Sequence, residues 1–129
     1  MSLTVSPTLL EQARQGDVSQ SDFLTCIKES LPYAWRLIED LAGKLKQSEA
    51  SFVDNQTPPP NEHARGQLLR VLASDAMRTA LEDYFGVKLA FQNCHCVALF
   101  QKDRLDHTYE TFISPRSQLL NQSPELVDC

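Results

Sequence analysis

The alternation of apolar and polar positions is clearest between residues 61 and 101, where its period changes once. From Asn61 onward the apolar residues recur at helical spacing and form one stripe. Asn61 is suited to cap a helix start, and Gly86 to end a helix in the left-handed conformation. We therefore expect one long central helix between them. Its stripe is Leu69, Leu72, Ala73, Ala76, Ala80 and Tyr84, broadened by Leu68, Met77 and Leu81.

A period of two begins directly after the glycine, in Val87–Gln92, as in a half-buried strand. Residues 95–100 are typical of a returning strand, so residues 87–101 are predicted to form an antiparallel hairpin. A two-stranded hairpin is only marginally stable alone. We expect it to lie on the helices or to gain strands from elsewhere, including the sheet edge of a partner subunit.

The N-terminal half carries three helix signals. Ser6-Pro7 combines a capping serine with a proline at the first helical position, and Ser21 opens a second helical region. Pro32 then interrupts the apolar stripe. Either one helix is kinked there, or a new helix begins with Ser30 near its cap, and we favour the second interpretation. Trp35 lies on the continuing stripe and is predicted to be a core residue.

Residues 48–60 form the clear loop, because three consecutive prolines impose an extended conformation. After the hairpin, residues 105–112 have helical spacing, and Ser114-Pro115 and Ser123-Pro124 repeat the cap-then-proline signal of short helices. The predicted fold is α+β and mostly helical. Residues 1–129 form a single domain, in which helices pack around the central long helix beside a small antiparallel β-hairpin.

Composition and charge limit which classes of partner the chain is expected to bind. With 42% apolar and 22% charged residues, the chain can bury a core without metals or disulfides. A net charge of −5 disfavours nucleic acid as a partner, because binding to the phosphate backbone requires clustered Lys and Arg. The sequence carries no secretory signal and no run long enough to span a membrane. We expect a cytoplasmic protein with no membrane partner, whose four cysteines are reduced.

The tripeptide 94–96 is the main candidate for metal chemistry. Cys94 and Cys96 point to one face of a strand, and His107 follows after the next turn as a third ligand. The spacing lacks the repeated Cys-x-x-Cys of zinc sites. We therefore favour the interpretation that both cysteines act as small apolar residues, and we expect no cofactor.

Two further groups suit binding rather than catalysis. His63, Arg65 and Arg70 lie early on the central helix and could line a pocket for an anion, although we favour the interpretation that they form an ordinary solvated helix face. The partner-binding candidates are an aromatic anchor and a preformed extended segment, which loses little entropy on binding. These candidates are Tyr33, Pro58, Pro59 and Pro60.

Four stretches of the sequence carry a resemblance to a protein family. Residues 30–35, the 54–60 loop, residues 86–95 and residues 114–128 together resemble a small uncharacterised family of cyanobacterial proteins. The resemblance covers nearly the whole chain. It implies a cytoplasmic bacterial protein and brings no activity and no site residues.

Three hypotheses about function follow. The first is a non-enzymatic regulatory or protein-interaction protein that binds a partner or a second copy of itself as a homodimer. The second is a ligand- or metal-binding domain that uses the Cys94/Cys96 hairpin. An enzyme ranks third, because no glycine-rich phosphate loop and no catalytic residue pattern is present in the sequence.

Overall fold

The computed structural model describes residues 2–92 and 95–120, which form seven helices and three strands. The predicted α+β, mostly helical class is confirmed. In chain order the elements are α1 (Pro7–Gln15), α2 (Gln20–Ser30), α3 (Pro32–Lys46), β1 (Phe52–Asp54), α4 (Glu62–Leu72), α5 (Asp75–Phe85), β2 (Val87–Gln92), β3 (Cys96–Gln101), α6 (His107–Phe112) and α7 (Pro115–Leu120).

The predicted central helix is in fact two helices, α4 and α5. Ser74 separates them, because its Oγ accepts a hydrogen bond from the Met77 amide at 3.2 Å and caps α5. Arg78 Nη1 donates to the Leu72 carbonyl at 3.1 Å and satisfies the end of α4. Four of the six predicted stripe residues are exposed, namely Leu69 at 41%, Tyr84 at 58%, and the small residues Ala73 and Ala76.

The outer ends of this helix pair agree with prediction. Asn61 Oδ1 accepts from the Ala64 amide at 2.8 Å and caps α4. Gly86 ends α5 with a φ of 67°. Farther upstream, Ser6 caps α1 as expected, whereas α2 is capped by Ser19 and begins before the predicted Ser21.

The interruption at Pro32 starts a new helix, as favoured. The N-cap is Leu31, next to Ser30 as predicted, but the Ser30 hydroxyl does not serve the helix, because it accepts from the Thr4 amide at 2.8 Å. The cap comes from α4. Gln67 Oε1 accepts from the amides of Tyr33 at 2.7 Å and Ala34 at 3.1 Å. A buried side chain distant in sequence therefore satisfies the first turn of α3.

The hairpin is part of a three-stranded antiparallel sheet with the order β1-β3-β2. β1 comes from the predicted proline-rich loop and pairs with β3, with Phe52 opposite Phe100. Asn55 extends this pairing, since its side chain donates to the His95 carbonyl at 2.6 Å and accepts from the Val97 amide at 2.8 Å. The chain itself thus supplies the additional strand that the hairpin required.

Both faces of the sheet are covered. The main core joins one face to helices α2 to α5 and includes Trp35, which is buried as predicted. On the other face, Ala90, Ala98 and Phe100 form a smaller cluster with partly buried aromatic residues. Those residues are Phe52, Tyr109 and Phe112.

Of the C-terminal helices, α7 begins at the predicted Ser114-Pro115, whereas α6 begins at His107 and leaves out Leu105. Asp106 caps α6, and Ser114 Oγ accepts from the Ser117 amide at 3.1 Å at the start of α7. The helix predicted at Ser123-Pro124 lies outside the described residues. In the parts of the chain that the structure describes, no helix has the length and apolar character needed to cross a bilayer.

Candidate functional site

The metal candidates are only partly placed, because Cys94 lies outside the described residues. Cys96 begins β3 and is half-buried. Burial, and secondarily the charge of Asp54, raises the pKa of its thiol to about 11. His107 begins α6 with Nε2 3.4 Å from Thr111 Oγ1. Among residues 2–92 and 95–120, no three His, Cys, Asp or Glu side chains gather as a metal site would require.

The anion candidates share α4, where His63 and Arg70 are seven residues apart on one face and Arg65 lies on another. His63 Nε2 lies 3.3 Å from Gln67 Nε2, one turn along the helix. Arg65, two residues on from His63, faces away from it and pairs with Glu62 at 3.5 Å. Arg70 is partly buried and already engaged in an interaction. The helix therefore does not converge the three side chains on one pocket.

The partner-binding candidates differ in exposure. Tyr33, in the first turn of α3, is half-buried against the main core, and this burial raises the pKa of its phenol. Pro58 and Pro60 are exposed, while Pro59 is partly buried. A partner could therefore reach Pro58 and Pro60 fully, but Pro59 and Tyr33 only in part.

The free edge of β2 is the outer edge of the predicted hairpin, where pairing with a partner subunit was expected, but the sequence patterns did not indicate a groove along it. The Leu89 amide donates to Glu82 Oε2 at 2.9 Å, so it points away from β3. Residues along an antiparallel strand alternate between inward-bonded and outward-facing backbone groups. Val87 and Phe91 must therefore also direct their N–H and C=O groups toward the open edge.

Glu82 and Lys88 close the first half of this edge. Glu82 is only 6% exposed, and its Oε2 lies 3.4 Å from Lys88 Nζ as well as accepting from Leu89. The Leu89 N–H is thus occupied. The Leu89 carbonyl and both backbone groups of Phe91 remain directed outward in the second half.

A groove of about 270 Å³ runs along this edge, and four consecutive β2 residues, 88 to 91, contribute to its lining. One wall comes from the main-core side, where Leu72 and Arg78 lie. The opposite wall comes from α6 and its C-cap, with Tyr109 and Ile113. Since Tyr109 packs edge-on against Phe100 on the other sheet face, the groove is walled on both sides of the sheet. We call this hollow the edge groove.

Four buried or partly buried polar side chains build this architecture, and none of them is among the predicted site residues. They are Asn55, Gln67, Glu82 and Gln92. A usable signal existed for Gln67 and Glu82, because each is a polar residue among the buried positions of its helix. Buried polar groups are normally hydrogen-bonded, so such a position predicts a specific partner.

The fold defines a small α+β protein whose three-stranded sheet lies between a helical layer and a C-terminal pair of short helices. A family model named KH_NucS_shadow, with the description NucS shadow ORF, matches residues 1–129. The chain belongs to this family. The comparison with curated proteins found no match, and neither did the comparison with solved structures.

Proposed function

We propose that this chain is a non-enzymatic protein-interaction protein that binds an extended segment of a partner at the edge groove. The observation that carries the proposal is the outward-facing backbone of Leu89 and Phe91 at the floor of a hollow walled on both sheet faces. In strand addition, main-chain hydrogen bonds give affinity and flanking pockets give specificity. The edge groove offers both.

Nucleic acid is a second candidate, because the name of the family begins with KH. KH is also the name of an RNA-binding module that clamps backbone nucleotides with a Gly-x-x-Gly loop. The glycines of this chain are residues 16, 43, 66 and 86, so no two are three positions apart. The residues that join α4 to α5 are Ala73 and Ser74, and neither is a glycine. The sequence therefore contains no Gly-x-x-Gly, and its net charge of −5 further favours a protein partner.

A metal-binding function at Cys94, Cys96 and His107 is the other competitor. Metal binding there would have to displace the proton of the Cys96 thiol, whose pKa burial raises to about 11, and this lowers the affinity for a metal. We therefore rank the metal site below the interaction protein. Free Cys26 and Cys96 thiols also suit the proposed setting, the cytoplasm of a cyanobacterial cell.

The test uses short random peptides displayed on phage and selected against the whole chain. Selected peptides are then titrated with wild type and with Ile113→Asp, which places a charge on the groove wall. We expect affinity to fall about tenfold or more, since a carboxylate that a bound peptide covers loses its water without gaining a partner, which costs about 1.4 kcal/mol or more.

Leu105→Asp is the matched control. Leu105 is 43% exposed, close to the 48% of Ile113, and it does not line the groove. Its substitution should leave peptide affinity unchanged. The edge groove would be excluded as the binding site by either of two results. Peptide affinity could fall equally in both variants, or it could stay at the wild-type value in Ile113→Asp. Tight binding of single-stranded RNA would favour the nucleic-acid alternative.

A further inference from the structure

A second pocket, of about 430 Å³, lies between the segment before α1, α1 itself, α2 and the first turn of α5. Small-molecule sites have volumes in this range and are mostly apolar with a few polar groups. Of the nine described residues that line the pocket, seven are apolar, and the other two, Gln20 and Cys26, are uncharged. We call it the N-terminal pocket, and its main walls are Leu3, Val5, Leu9, Val18, Phe23 and Ala76.

The segment before α1 forms one wall of this pocket, because its side chains alternate between two sides. Leu3 and Val5 line the N-terminal pocket, whereas Thr4 lines a separate, polar pocket. The backbone of Thr4 fixes the segment to α2. Its amide donates to Ser30 Oγ at 2.8 Å, and its carbonyl accepts from Cys26 Sγ at 3.4 Å. Hydrogen bonds of the fold therefore hold this apolar wall in place.

The last turn of α1 is fixed to α2 in the same way, by Gln12. Its Oε1 accepts from the Ser19 amide at 2.9 Å, and its Nε2 donates to Asp22 Oδ2 at 2.9 Å. The link between the two helices includes Val18, which is 46% exposed and lines the pocket. Since both ends of the α1 wall are bonded to α2, the pocket is preformed, as small-molecule sites usually are.

The size of the pocket favours a small molecule over a protein. A standard protein interface takes about 20–30 residues from each partner, whereas nine described residues line this pocket. The exposed large apolar residues are also not gathered around it. Of the nine in the described parts of the chain, only Val5 and Val18 line the pocket.

The charges near the pocket limit the chemical class of the ligand. Because none of its described lining residues is charged, a carboxylate or an ammonium bound inside would lose its water without gaining an ionic partner. Asp22 and Glu29 line the polar pocket on the other side of Thr4, and their carboxylates further disfavour an anion.

Gln20 supplies the polar group of the site. It is exposed, lines the pocket, and its side-chain amide has no hydrogen-bond partner among the described residues. An amide can donate to or accept from one neutral polar group. We infer that the N-terminal pocket binds a small neutral molecule that is mostly hydrocarbon and carries a single hydroxyl or carbonyl group. Among described residues, the pocket shares none of its lining with the edge groove, so this inference does not depend on the proposed strand addition.

The first experiment titrates the whole chain with 1-hexanol, 1-octanol, octanoate and octylamine, and follows the backbone amide signals by NMR. We expect saturable shifts at Val18, Phe23 and Ala76 with the alcohols. Affinity should rise roughly tenfold from 1-hexanol to 1-octanol, since two more CH₂ groups are buried. It should fall at least tenfold for octanoate and octylamine.

Two outcomes of this titration would overturn the inference. Octanoate or octylamine that binds as tightly as 1-octanol would refute the neutral class of ligand. Alcohols that produce no saturable shift at these three amides would refute the site itself. Shifts confined to the β2 amides would place the alcohols at the edge groove and would also refute it.

The second experiment compares Ala76→Trp with Ala73→Trp. Both alanines are exposed, but only Ala76 lines the pocket. A tryptophan at 76 should fill the space and weaken 1-octanol binding at least tenfold, whereas a tryptophan at 73 should leave it unchanged. Wild-type affinity in Ala76→Trp would exclude the N-terminal pocket as the site. If circular dichroism shows that Ala76→Trp does not fold, the wild-type titration decides.

Discussion

Gly86 joins α5 to β2 and holds a φ of 67°, in the left-handed region. A side chain at this φ is strained even though a Cβ would meet nothing within 4 Å. We predict that Gly86→Val lowers the free energy of unfolding by about 1–2 kcal/mol, because left-handed backbone costs a β-branched residue at least that much. Urea denaturation would measure the loss.

Gly43 provides the control for this prediction. It lies within α3 at an exposed position, without a left-handed φ, and a Cβ there meets nothing within 4 Å. Gly43→Ala should stabilise the protein by roughly 0.5–1 kcal/mol, since alanine is the better helix former. If Gly86→Val were as stable as wild type, strain at the α5–β2 joint would not be significant.

Cys96 gives a prediction about pH. Its thiol pKa is raised from an ordinary 9.0 to about 11, first by burial and then by Asp54. Between these two values the unfolded chain loses the proton and the folded chain keeps it. The contribution of Cys96 to stability should therefore fall as pH rises from 9.0 toward 11.

Peptide-resolved mass spectrometry after iodoacetamide labelling would check this directly. In the folded protein, the labelling rate of Cys96 should rise with a midpoint near 11, and in urea with a midpoint near 9.0. The urea sample controls for reagent chemistry. Identical midpoints in the two samples would refute the pKa shift.

At the scale of elements, Gln67 makes the start of α3 depend on α4. Its Oε1 accepts from both Tyr33 and Ala34, and it is buried. Gln67→Leu fills the space but leaves two amides without this acceptor. We predict a loss of about 1–3 kcal/mol in the free energy of unfolding, the cost of unsatisfied buried donors.

Gln47→Leu is the comparison variant, because Gln47 ends the same helix at an exposed position. Its free energy of unfolding should stay within about 0.5 kcal/mol of wild type. Urea denaturation of both variants measures the difference. A Gln67→Leu variant as stable as Gln47→Leu would mean that water satisfies the first turn of α3.

Element boundaries were predictable where neighbouring residues decide them. Ser6-Pro7, Pro32 and Gly86 each act on their own backbone, and each marks a helix end as expected. The break at Ser74 was not predicted, because apolar residues continue at helical spacing on both sides of it. They do so because α4 and α5 pack against the same core. A period of apolar residues reports the core that they share, and it does not report whether the helix between them is continuous.

The site was harder to predict than the fold because it depends on contacts that are distant in sequence. β1 was assigned to a loop, since its pairing with β3 joins residues separated by both α4 and α5. The openness of the β2 edge depends on where α6 comes to lie. No local pattern around Leu89 encodes the position of Tyr109 or Ile113.

At the scale of the whole molecule, the sheet separates a large core from a small one. The larger core unites α2 to α5 with one sheet face, whereas the smaller has three buried residues beneath α6. Gln92 ties the small layer to the sheet, because its Nε2 donates to the Phe112 carbonyl at 2.9 Å and to Ser117 Oγ at 2.6 Å. The α6–α7 pair should therefore open before the main core does.

Gln92→Leu tests this division of the molecule, since it keeps the apolar volume but removes both hydrogen bonds. We predict roughly tenfold faster hydrogen exchange in α6 and α7, with unchanged protection in α3 to α5, because a net hydrogen bond is worth about 1 kcal/mol. Gln101→Leu is the control, as Gln101 lies on β3 and donates to the Leu45 carbonyl at 3.5 Å, away from α6. Equal acceleration throughout the chain would mean that the two layers unfold as one unit. Faster exchange confined to α6 and α7 would show that one wall of the edge groove can move while its floor stays fixed.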